Sequence, residues 1–371
     1  MKKIKIITFQ NAHNYGATLQ TYALQKFLRD NKYDTEDINY KNQVIENQYK
    51  IVKINKSNFL SFSKSVVVSI IQFVPNCIRY RKFEKFIKKN IKLSKVYKSE
   101  KEIINNPPDA DVYITGSDQV WNTIITDGLR KSYTLNFGKN EINRISYAAS
   151  IGNPIIYDYE KNFYKEKISK INHISVREKI AKDNLEKIGL KDVKVCIDPT
   201  LLLDKKIWNN LIENKKAIKQ DYIFAYEVKP EQEYYDIVNI FSNENNLGVV
   251  HFERKGKKYN KVIKNAYTAG PIEFLTLIKN SKYVICTSFH ATVFSIIFHK
   301  DFYVIPHKET GNRVTNLLKL LNINGRVFYN YEEFVKRDRE DKIDWNKVDK
   351  KLEDLKRDSA EWLINAIESE K

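Results

Sequence analysis

The sequence of 371 residues predicts an α/β protein with two domains of parallel sheet that face each other across a cleft. Its length exceeds that of a usual single domain, and short β-rich segments alternate with helical segments, as in sheets covered by helices on both faces. The alternation pauses near residue 215 and starts again at "YIFAYEV". We therefore predict Rossmann-like domains over 1–215 and 216–345, and an amphipathic helix over 346–371 that packs back across the boundary.

Composition and cysteine spacing exclude several classes of protein. The chain is 42% hydrophobic and 30% charged, which is typical of a soluble globular protein rather than a disordered one. Cys77, Cys196 and Cys286 lack the spacing of a zinc site or a disulfide framework, so we expect a reducing compartment and no metal. The apolar part of "MKKIKIITFQ" is too short for a signal peptide. The sequence predicts a cytoplasmic protein.

The first predicted strand, "KIKIITF", ends in a polar loop before a helix that begins at about Ala17. Where a chain leaves a parallel strand and enters a helix, backbone N–H groups and short side chains face an open crevice. Asn14 and Tyr15 lie in this loop, and we expect them at the cleft as contacts for a sugar or another ligand. The alternative for Tyr15 is a side chain that covers the core.

The segment over 50–98 is unusually basic. It carries 13 Lys or Arg against one acid, Glu84, and contains the apolar run "VVVSIIQFVPN". This run of about 11 residues is too short to span a bilayer, which needs roughly 20. The pattern predicts an interfacial segment on anionic lipid, or alternatively a core helix followed by a solvated basic helix. Nucleic acid is not favoured, because no zinc-finger, RNP or basic-zipper pattern occurs.

The loop "ITGSDQVWN" follows the strand "DVYI" and is a candidate ligand loop. Gly116 permits an unusual backbone, and Ser117 and Asp118 can hydrogen-bond a ligand. The alternative is that Ser117 or Asp118 caps a helix. Trp121 is placed to stack on a sugar ring, or equally to fill the core.

Two further loops end predicted strands with charged residues. Arg177 of "ISVREK" has a planar guanidinium that suits a carboxylate or a phosphate, and its alternative partner is Glu178. Asp198 of "CIDPTLLL" precedes a proline that stops the strand. We interpret Asp198 as a structural turn or cap.

The stretch "ICTSFHATVFSIIFHKDFYVIPHKETGNR" predicts an anion pocket. Ser288 stands where it can cap the helix that follows the strand, and a helix N-terminus attracts anions. A lone histidine is more often structural, but His290 follows a strand at a helix start, beside two hydroxyls, which favours a functional role. The next strand-end loop brings Lys308 and Arg313 to the same pocket.

Taken in order along the chain, these motifs resemble those of the polysaccharide pyruvyl transferase family. The resemblance rests on "NYGATLQTYALQ", "DVYITGSDQVWN", "SYAASIG", "ISVREK", "CIDPTLLL", "PIEFLTLIKNS" and "TSFHATVFSIIF". It implies transfer of the pyruvyl group of phosphoenolpyruvate to two hydroxyls of a sugar, as a cyclic ketal with release of phosphate. It also implies the two-domain GT-B architecture of many glycosyltransferases.

The resemblance places Arg177 and His290 in the phosphoenolpyruvate site. A further basic residue of that site aligns near Lys308 to Arg313, and Arg313 is our choice. We expect Ser288 and Lys308 to contact the donor as well. His290 is the candidate general acid and Asp118 the candidate base.

On the acceptor side we expect Asn14, Tyr15, Ser117 and Trp121 to contact the sugar. The acceptor implied is a lipid-linked or nucleotide-linked sugar of a capsule, exopolysaccharide or wall polymer, reached at the inner face of the membrane through segment 50–98. Phosphoenolpyruvate is the donor substrate, and no cofactor is expected.

Two other functions remain open at this point. One is a glycosyltransferase of the same architecture that uses a nucleotide sugar, because fold does not fix function. The other is a noncatalytic basic protein that coats membrane or nucleic acid.

Overall fold

The computed structural model describes residues 1–52, 59–152, 155–213, 215–228, 231–253, 258–306, 311–337 and 342–369, with side chains from residue 66 onward in the second range. Among these residues the strands form two sheets. The strands of the first are β1 (Lys3–Ile7), β2 (Asp34–Tyr40), β3 (Leu93–Tyr97), β4 (Val112–Thr115), β5 (Asn143–Ala149), β6 (His173–Val176) and β7 (Lys194–Val195). Those of the second are β8 (Tyr222–Tyr226), β9 (Gly248–His251), β10 (Val262–Asn265), β11 (Tyr283–Cys286) and β12 (Asp301–Val304).

Helices connect the strands and cover the sheets. They are α1 (Tyr15–Asp30), α2 (Gln43–Asn47), α3 (Phe59–Asn90), α4 (Glu100–Asn105), α5 (Thr123–Thr126), α6 (Asp158–Ile168), α7 (Lys179–Lys187), α8 (Lys205–Ile212), α9 (Gln232–Glu244), α10 (Pro271–Lys279), α11 (Phe289–Ile297), α12 (Asn312–Leu320), α13 (Tyr331–Lys336) and α14 (Trp345–Glu368). A short 3₁₀ turn, Pro199–Leu201, follows β7. The predicted α/β class with two parallel sheets is confirmed.

Strand order determines where the loops gather. The order is β3-β2-β1-β4-β5-β6-β7 in the first sheet and β10-β9-β8-β11-β12 in the second, and each of these strand pairs is parallel. The direction of winding therefore reverses between β1 and β4, and again between β8 and β11. Open α/β sheets bind ligands in the crevice beyond the carboxyl ends of the strands at such reversals. The loops predicted to bind ligands after β1, β4 and β11 all lie at these two points.

The two units share one hydrophobic core at Tyr15. The side chain is 1% exposed, and its ring stacks on Phe274 at a centroid distance of 4.2 Å. Its hydroxyl donates to the carbonyl oxygen of Ala269 at 2.7 Å and accepts from Arg79 at 3.1 Å. Phe274 and Ala269 belong to the second unit, so Tyr15 joins the units instead of lining an open cleft. The prediction that Tyr15 contacts the sugar is wrong, and the core alternative is correct.

Segment 50–98 contains one long helix, α3, with Pro75 inside it. Residues 53–58 of the segment lie outside the described residues. The second half of α3 buries Phe83, Phe86 and Ile87, whereas apolar side chains over 67–78 are exposed. The alternative of an apolar core helix followed by a solvated basic helix is therefore wrong. The basic half of α3 packs on the core, and the apolar half is exposed. None of the described helices is long and apolar enough to cross a membrane.

Helix α14 contacts both units. Asn143 of β5 donates to the carbonyl oxygen of Ala366 at 2.7 Å, and the Ile197 amide donates to Ser359 at 3.1 Å. At its other end, Trp345 stacks on His299 of the second unit with ring centroids 4.8 Å apart. The helix therefore connects the two units on the side of the molecule where the chain passes from the second back to the first.

Replacing Tyr15 by Ala should lower the free energy of unfolding by about 3–5 kcal/mol, because a large buried ring between the units leaves a cavity. Tyr15→Phe keeps the ring and should cost about 1–2 kcal/mol for the lost hydroxyl bonds. Urea denaturation followed by circular dichroism measures both. Tyr159→Ala is the control, since that tyrosine is 81% exposed. Equal effects at positions 15 and 159 would contradict the packing described here.

Candidate functional site

The carboxylate of Asp198 is the centre of the site. Its Oδ2 lies 2.9 Å from Nη1 of Arg177, accepts from the Ser117 hydroxyl at 3.0 Å and lies 3.5 Å from Nε2 of His290. Asp198, Arg177 and Ser117 come from loops of the first sheet, whereas His290 begins α11 after β11 of the second. All four residues are at least nine-tenths buried. The site therefore lies where the two units meet.

Asp198 also has the structural role expected of it. Its Oδ1 accepts from the backbone N–H and the hydroxyl of Thr200, at 3.0 and 2.7 Å, and so caps the turn that begins at Pro199. Burial alone would raise the pKa of this carboxyl, but its interactions with His290 and Arg177 and the bond from Thr200 outweigh burial. The pKa of Asp198 is therefore held well below its usual range. Sequence reasoning identified the cap and missed the contacts with Arg177 and His290.

Arg177 is fixed in place by its neighbours. Its Nε pairs with Glu178 at 3.2 Å, and its guanidinium lies 4.7 Å from the ring centroid of Phe289. Burial would lower its pKa, but Glu178 and Asp198 outweigh this, and the net effect is a raised pKa. The alternative pairing of Arg177 with Glu178 is thus present, and Asp198 supplies a second carboxylate. Two carboxylates orient the guanidinium and leave its Nη2 nitrogen unpaired among the described residues.

Three buried nitrogen atoms of the site lack a hydrogen-bond partner among the residues that the structure describes: Arg177 Nη2, Arg313 Nε and His290 Nε2. The His290 contact with Asp198 is close enough for an ion pair but does not have hydrogen-bond geometry. Burial and the charge of Arg177 lower the pKa of Arg313, so the two guanidinium groups lie near each other. An unsatisfied buried donor costs about 1–3 kcal/mol, more when it is charged. Such a cluster is suited to binding an anion that carries several oxygens.

Two helix N-termini lie beside these donors. Asn14 caps α1 by accepting from the N–H groups of Gly16 and Ala17, and Ser288 caps α11 by accepting from Ala291 at 3.5 Å. A Cβ atom at Gly16 would lie 2.1 Å from Nδ1 of His290, so the ring rests directly on the first turn of α1. The cap predicted at Ser288 is present. Asn14 was expected to contact a sugar, and its side-chain oxygen accepts the two cap hydrogen bonds of α1.

The loop after β4 contributes differently from what was expected. Trp121 is 0% exposed and donates to the carbonyl oxygen of Tyr133 at 3.0 Å, so it belongs to the core and the prediction that it stacks on a sugar is wrong. Ser117 is also 0% exposed and holds Asp198, which leaves it no surface for a sugar. Asp118 is half-buried and has a positive φ of 78°. Its carboxylate accepts a hydrogen bond from the backbone N–H of Gln119. Its charge acts on Arg177 and Arg313, which places it at the rim of the site.

Lys308, the other predicted donor contact, lies outside the described residues, as do its neighbours over 307–310. Across the ranges that the structure does describe, no group of three or more His, Cys, Asp or Glu side chains could hold a metal ion.

A cavity of about 250 Å³ lies between the units and was not anticipated from the sequence. Glu227, which directly follows β8, lines it together with Tyr49 of the first unit. Burial, followed by the charge of Glu253, raises the pKa of Glu227 to about 8. The only signal of this cavity in the sequence was a glutamate at the end of a central strand. Whether Glu227 lines a cavity depends on how the two units pack.

A sequence model of the polysaccharide pyruvyl transferase family matches residues 14–309, which is most of the chain. A search against curated proteins gives no significant match.

Solved structures resemble the whole chain. UDP-GlcNAc 2-epimerase of Methanocaldococcus jannaschii, solved with UDP-GlcNAc and UDP, is 13% identical with a TM-score of 0.50, and the match covers 96% of this chain and 100% of that one. MnaA of S. aureus, solved with UDP, is 14% identical with a TM-score of 0.52, over 91% of this chain and 89% of that one. At this identity the likeness shows the fold alone, which is the GT-B architecture expected from the motifs.

Asp198→Asn should lower the free energy of unfolding by about 3–5 kcal/mol at neutral pH, because it leaves the buried charge of Arg177 with one carboxylate fewer. A carboxyl with a lowered pKa stabilises the fold above its unfolded pKa of about 3.9, and this contribution is lost as the pH falls below that value. The difference between wild type and variant should therefore narrow below about pH 4.

Urea denaturation at several pH values measures this difference. Asp127→Asn is the control, since its side chain is 76% exposed and its change should stay within about 0.5 kcal/mol. A difference that does not depend on pH would contradict the proposed electrostatic role of Asp198.

Proposed function

Because the chain belongs to the polysaccharide pyruvyl transferase family, we propose that it transfers the pyruvyl group of phosphoenolpyruvate to two hydroxyls of a sugar in a cell-surface polysaccharide. The observation that carries the proposal is the cluster of three buried nitrogens at Arg177, Arg313 and His290 that have no hydrogen-bond partner among the described residues. Phosphoenolpyruvate offers a carboxylate and a phosphate, whose oxygens would satisfy these donors. Charge-assisted bonds of this kind are about twice as strong as neutral ones.

In this proposal the donor is held from both units. Arg177 is already oriented by Glu178 and Asp198, so little side-chain freedom is lost when its Nη2 bonds an oxygen. Arg313 has no ion pair among the described residues and supplies the second guanidinium. The N-terminus of α11, capped by Ser288, adds partial positive charge at the same place.

The chemistry requires two proton transfers. The methylene carbon of phosphoenolpyruvate gains a proton, and the first sugar hydroxyl forms a bond to the neighbouring carbon. The second hydroxyl then forms the other C–O bond as the bond to phosphate breaks. The two hydroxyls lose two protons in total. One is equivalent to the proton gained by the new methyl group, and the other leaves with phosphate. His290 is the proposed acid toward the carbon or the phosphate, and Asp118 the proposed acceptor of a hydroxyl proton. The place of Asp118 at the rim fits a group that meets the acceptor.

The donor is tested by thermal shift with phosphoenolpyruvate and, in parallel, with several nucleotide sugars. A ligand that binds only the native state stabilises it by about 2.7 kcal/mol at 100 times its Kd. We expect phosphoenolpyruvate to raise the melting temperature of wild type and to do so much less for Arg313→Gln, which removes a guanidinium that no carboxylate pairs with among the described residues. Arg29→Gln, at an exposed position on α1, is the matched control.

A shift with a nucleotide sugar alone would replace this proposal by a glycosyltransferase, the alternative that shares the architecture.

With a sugar acceptor and phosphoenolpyruvate present, His290→Ala should abolish phosphate release. An unchanged turnover would remove His290 from the mechanism.

We further propose that α3 places the enzyme on an anionic membrane, where a lipid-linked acceptor would be found. One side of this helix is exposed along its described length at intervals of three or four residues: Val67, Ile70, Ile71, Val74, Ile78, Arg81, Lys85 and Lys88. Ile70 and Ile71 are each 70% exposed. An apolar half followed by a cationic half fits insertion into the interface and attraction to lipid phosphates, about 1 kcal/mol for each basic residue.

Sedimentation with vesicles tests this placement. Wild type should pellet with vesicles that contain phosphatidylglycerol, less so with pure phosphatidylcholine, and less at high salt. Ile70→Glu combined with Ile71→Glu should abolish pelleting, whereas Ile124→Glu, at an isoleucine 78% exposed elsewhere, should not. Self-association that depends on α3, without vesicle binding, would instead make this face an interface between copies of the chain.

A further inference from the structure

The cavity at Glu227 lies between the loop that follows α2, helix α3 and the carboxyl ends of β8 and β9. The first unit contributes Tyr49 and Arg79, and the second contributes Tyr226, Glu227 and Phe252. Its volume of about 250 Å³ is slightly below the roughly 300–1,000 Å³ typical of pockets for whole small-molecule ligands. A single ring fits this space better than an entire glycolipid or nucleotide sugar.

The cavity combines aromatic walls with polar side chains, among them those of Lys50, Asn76 and Glu227. Tyr226 and Phe252 pack edge to face at 5.2 Å. Glu227 also lines the cavity, accepts a hydrogen bond from Tyr259 at 3.0 Å and has no cationic partner among the described residues. Rings beside hydrogen-bonding groups are suited to a molecule with both C–H faces and hydroxyls.

The environment of Glu227 determines its protonation. Glu253 lies nearby and is itself bonded by the Tyr235 hydroxyl, so two carboxyls share a largely buried region. With its pKa raised to about 8, Glu227 is mostly neutral at neutral pH. A neutral carboxyl both donates and accepts hydrogen bonds, as sugar hydroxyls do, and does not attract phosphate.

Arg79 lines the cavity, but its guanidinium is already engaged by groups of the protein. Its guanidinium donates to the Tyr15 hydroxyl and to the backbone oxygens of His13 and Tyr267, at 3.1 to 3.3 Å. It also lies over the Tyr15 ring at 4.9 Å. These contacts hold α3 against the second unit and so form the wall of the cavity.

The cavity is next to the donor site. His13 lines the cavity, and the next residue, Asn14, caps α1 at Gly16, on which the His290 ring rests. The charge of Asp118 reaches Tyr49 as well as Arg313. The cavity and the donor site therefore adjoin at the start of α1.

We propose that this cavity binds one uncharged pyranose ring of the acceptor, with the Glu227 carboxyl hydrogen-bonding its hydroxyls and Tyr226 and Phe252 contacting its C–H face. The inference rests on the proposed function, because it gives the acceptor a site beside the donor. It also replaces the positions first expected to hold the sugar, since Tyr15, Ser117 and Trp121 are buried. Glu227 is a positioning residue and takes no proton in this proposal.

Saturation-transfer difference NMR tests the site in the full chain, with the methyl glycosides of glucose, galactose, mannose and N-acetylglucosamine as probes, with and without phosphoenolpyruvate. Irradiation of protein resonances should transfer saturation to ring protons of at least one glycoside in wild type. Glu227→Leu should abolish the signal. Glu227→Gln, which keeps one donor and one acceptor, should retain it. Glu332→Leu, at an exposed glutamate, is the matched control.

The thermal shift with phosphoenolpyruvate, measured on the same variants, separates the two proposals. A retained shift in Glu227→Leu shows an intact fold and donor site, so that loss of the glycoside signal is specific to the cavity. An undiminished signal in Glu227→Leu, or none in wild type with any glycoside, would overturn this inference while leaving the donor proposal in place. Loss of the signal in Glu227→Gln would overturn the role of a neutral carboxyl. Absence of the shift in wild type would instead overturn the proposed function.

Discussion

A single buried carboxylate, that of Asp198, organises the region between the two units. A charge removed from water costs several kcal/mol unless it is paired and hydrogen-bonded. The chain meets this requirement with Arg177 and Ser117 from the first sheet, with the turn at Thr200, and with His290 from the second. The same contacts fix Arg177 and His290, the side chains proposed to face the donor. The packing of the units and the geometry of the site thus depend on one group.

Much of this arrangement could be predicted from the sequence. Alternating strands and helices gave the class, and parallel strands place their carboxyl ends at one edge, so loops that follow β6, β11 and β12 were expected to converge. Arg177, His290 and Arg313 do so. Aromatic residues were the main error, because whether Tyr15 or Trp121 faces a ligand depends on partners far along the chain, Phe274 and Tyr133. A single sequence does not contain that information.

The contacts of Asp198 and the cavity at Glu227 were missed for a related reason. Asp198 caps a turn, and this local role already explains the motif. Its contact with Arg177 requires that β6 and β7 be neighbours, which follows from strand order and not from spacing. The cavity at Glu227 depends on where α3 crosses the second unit, and hence on the contacts of Arg79. Local patterns determine local structure, whereas sites between units depend on packing.

The contact between Gly16 and His290 limits how the family to which this chain belongs can vary. A Cβ at position 16 would overlap the imidazole ring, so the absence of a side chain in one unit is a condition for the ring in the other. The two positions, 274 residues apart, are therefore epistatic: a larger residue at 16 becomes tolerable only when the histidine is lost as well. A homologue that has lost the glycine is expected to have abandoned the chemistry of the histidine, and this can be read from its sequence before any assay.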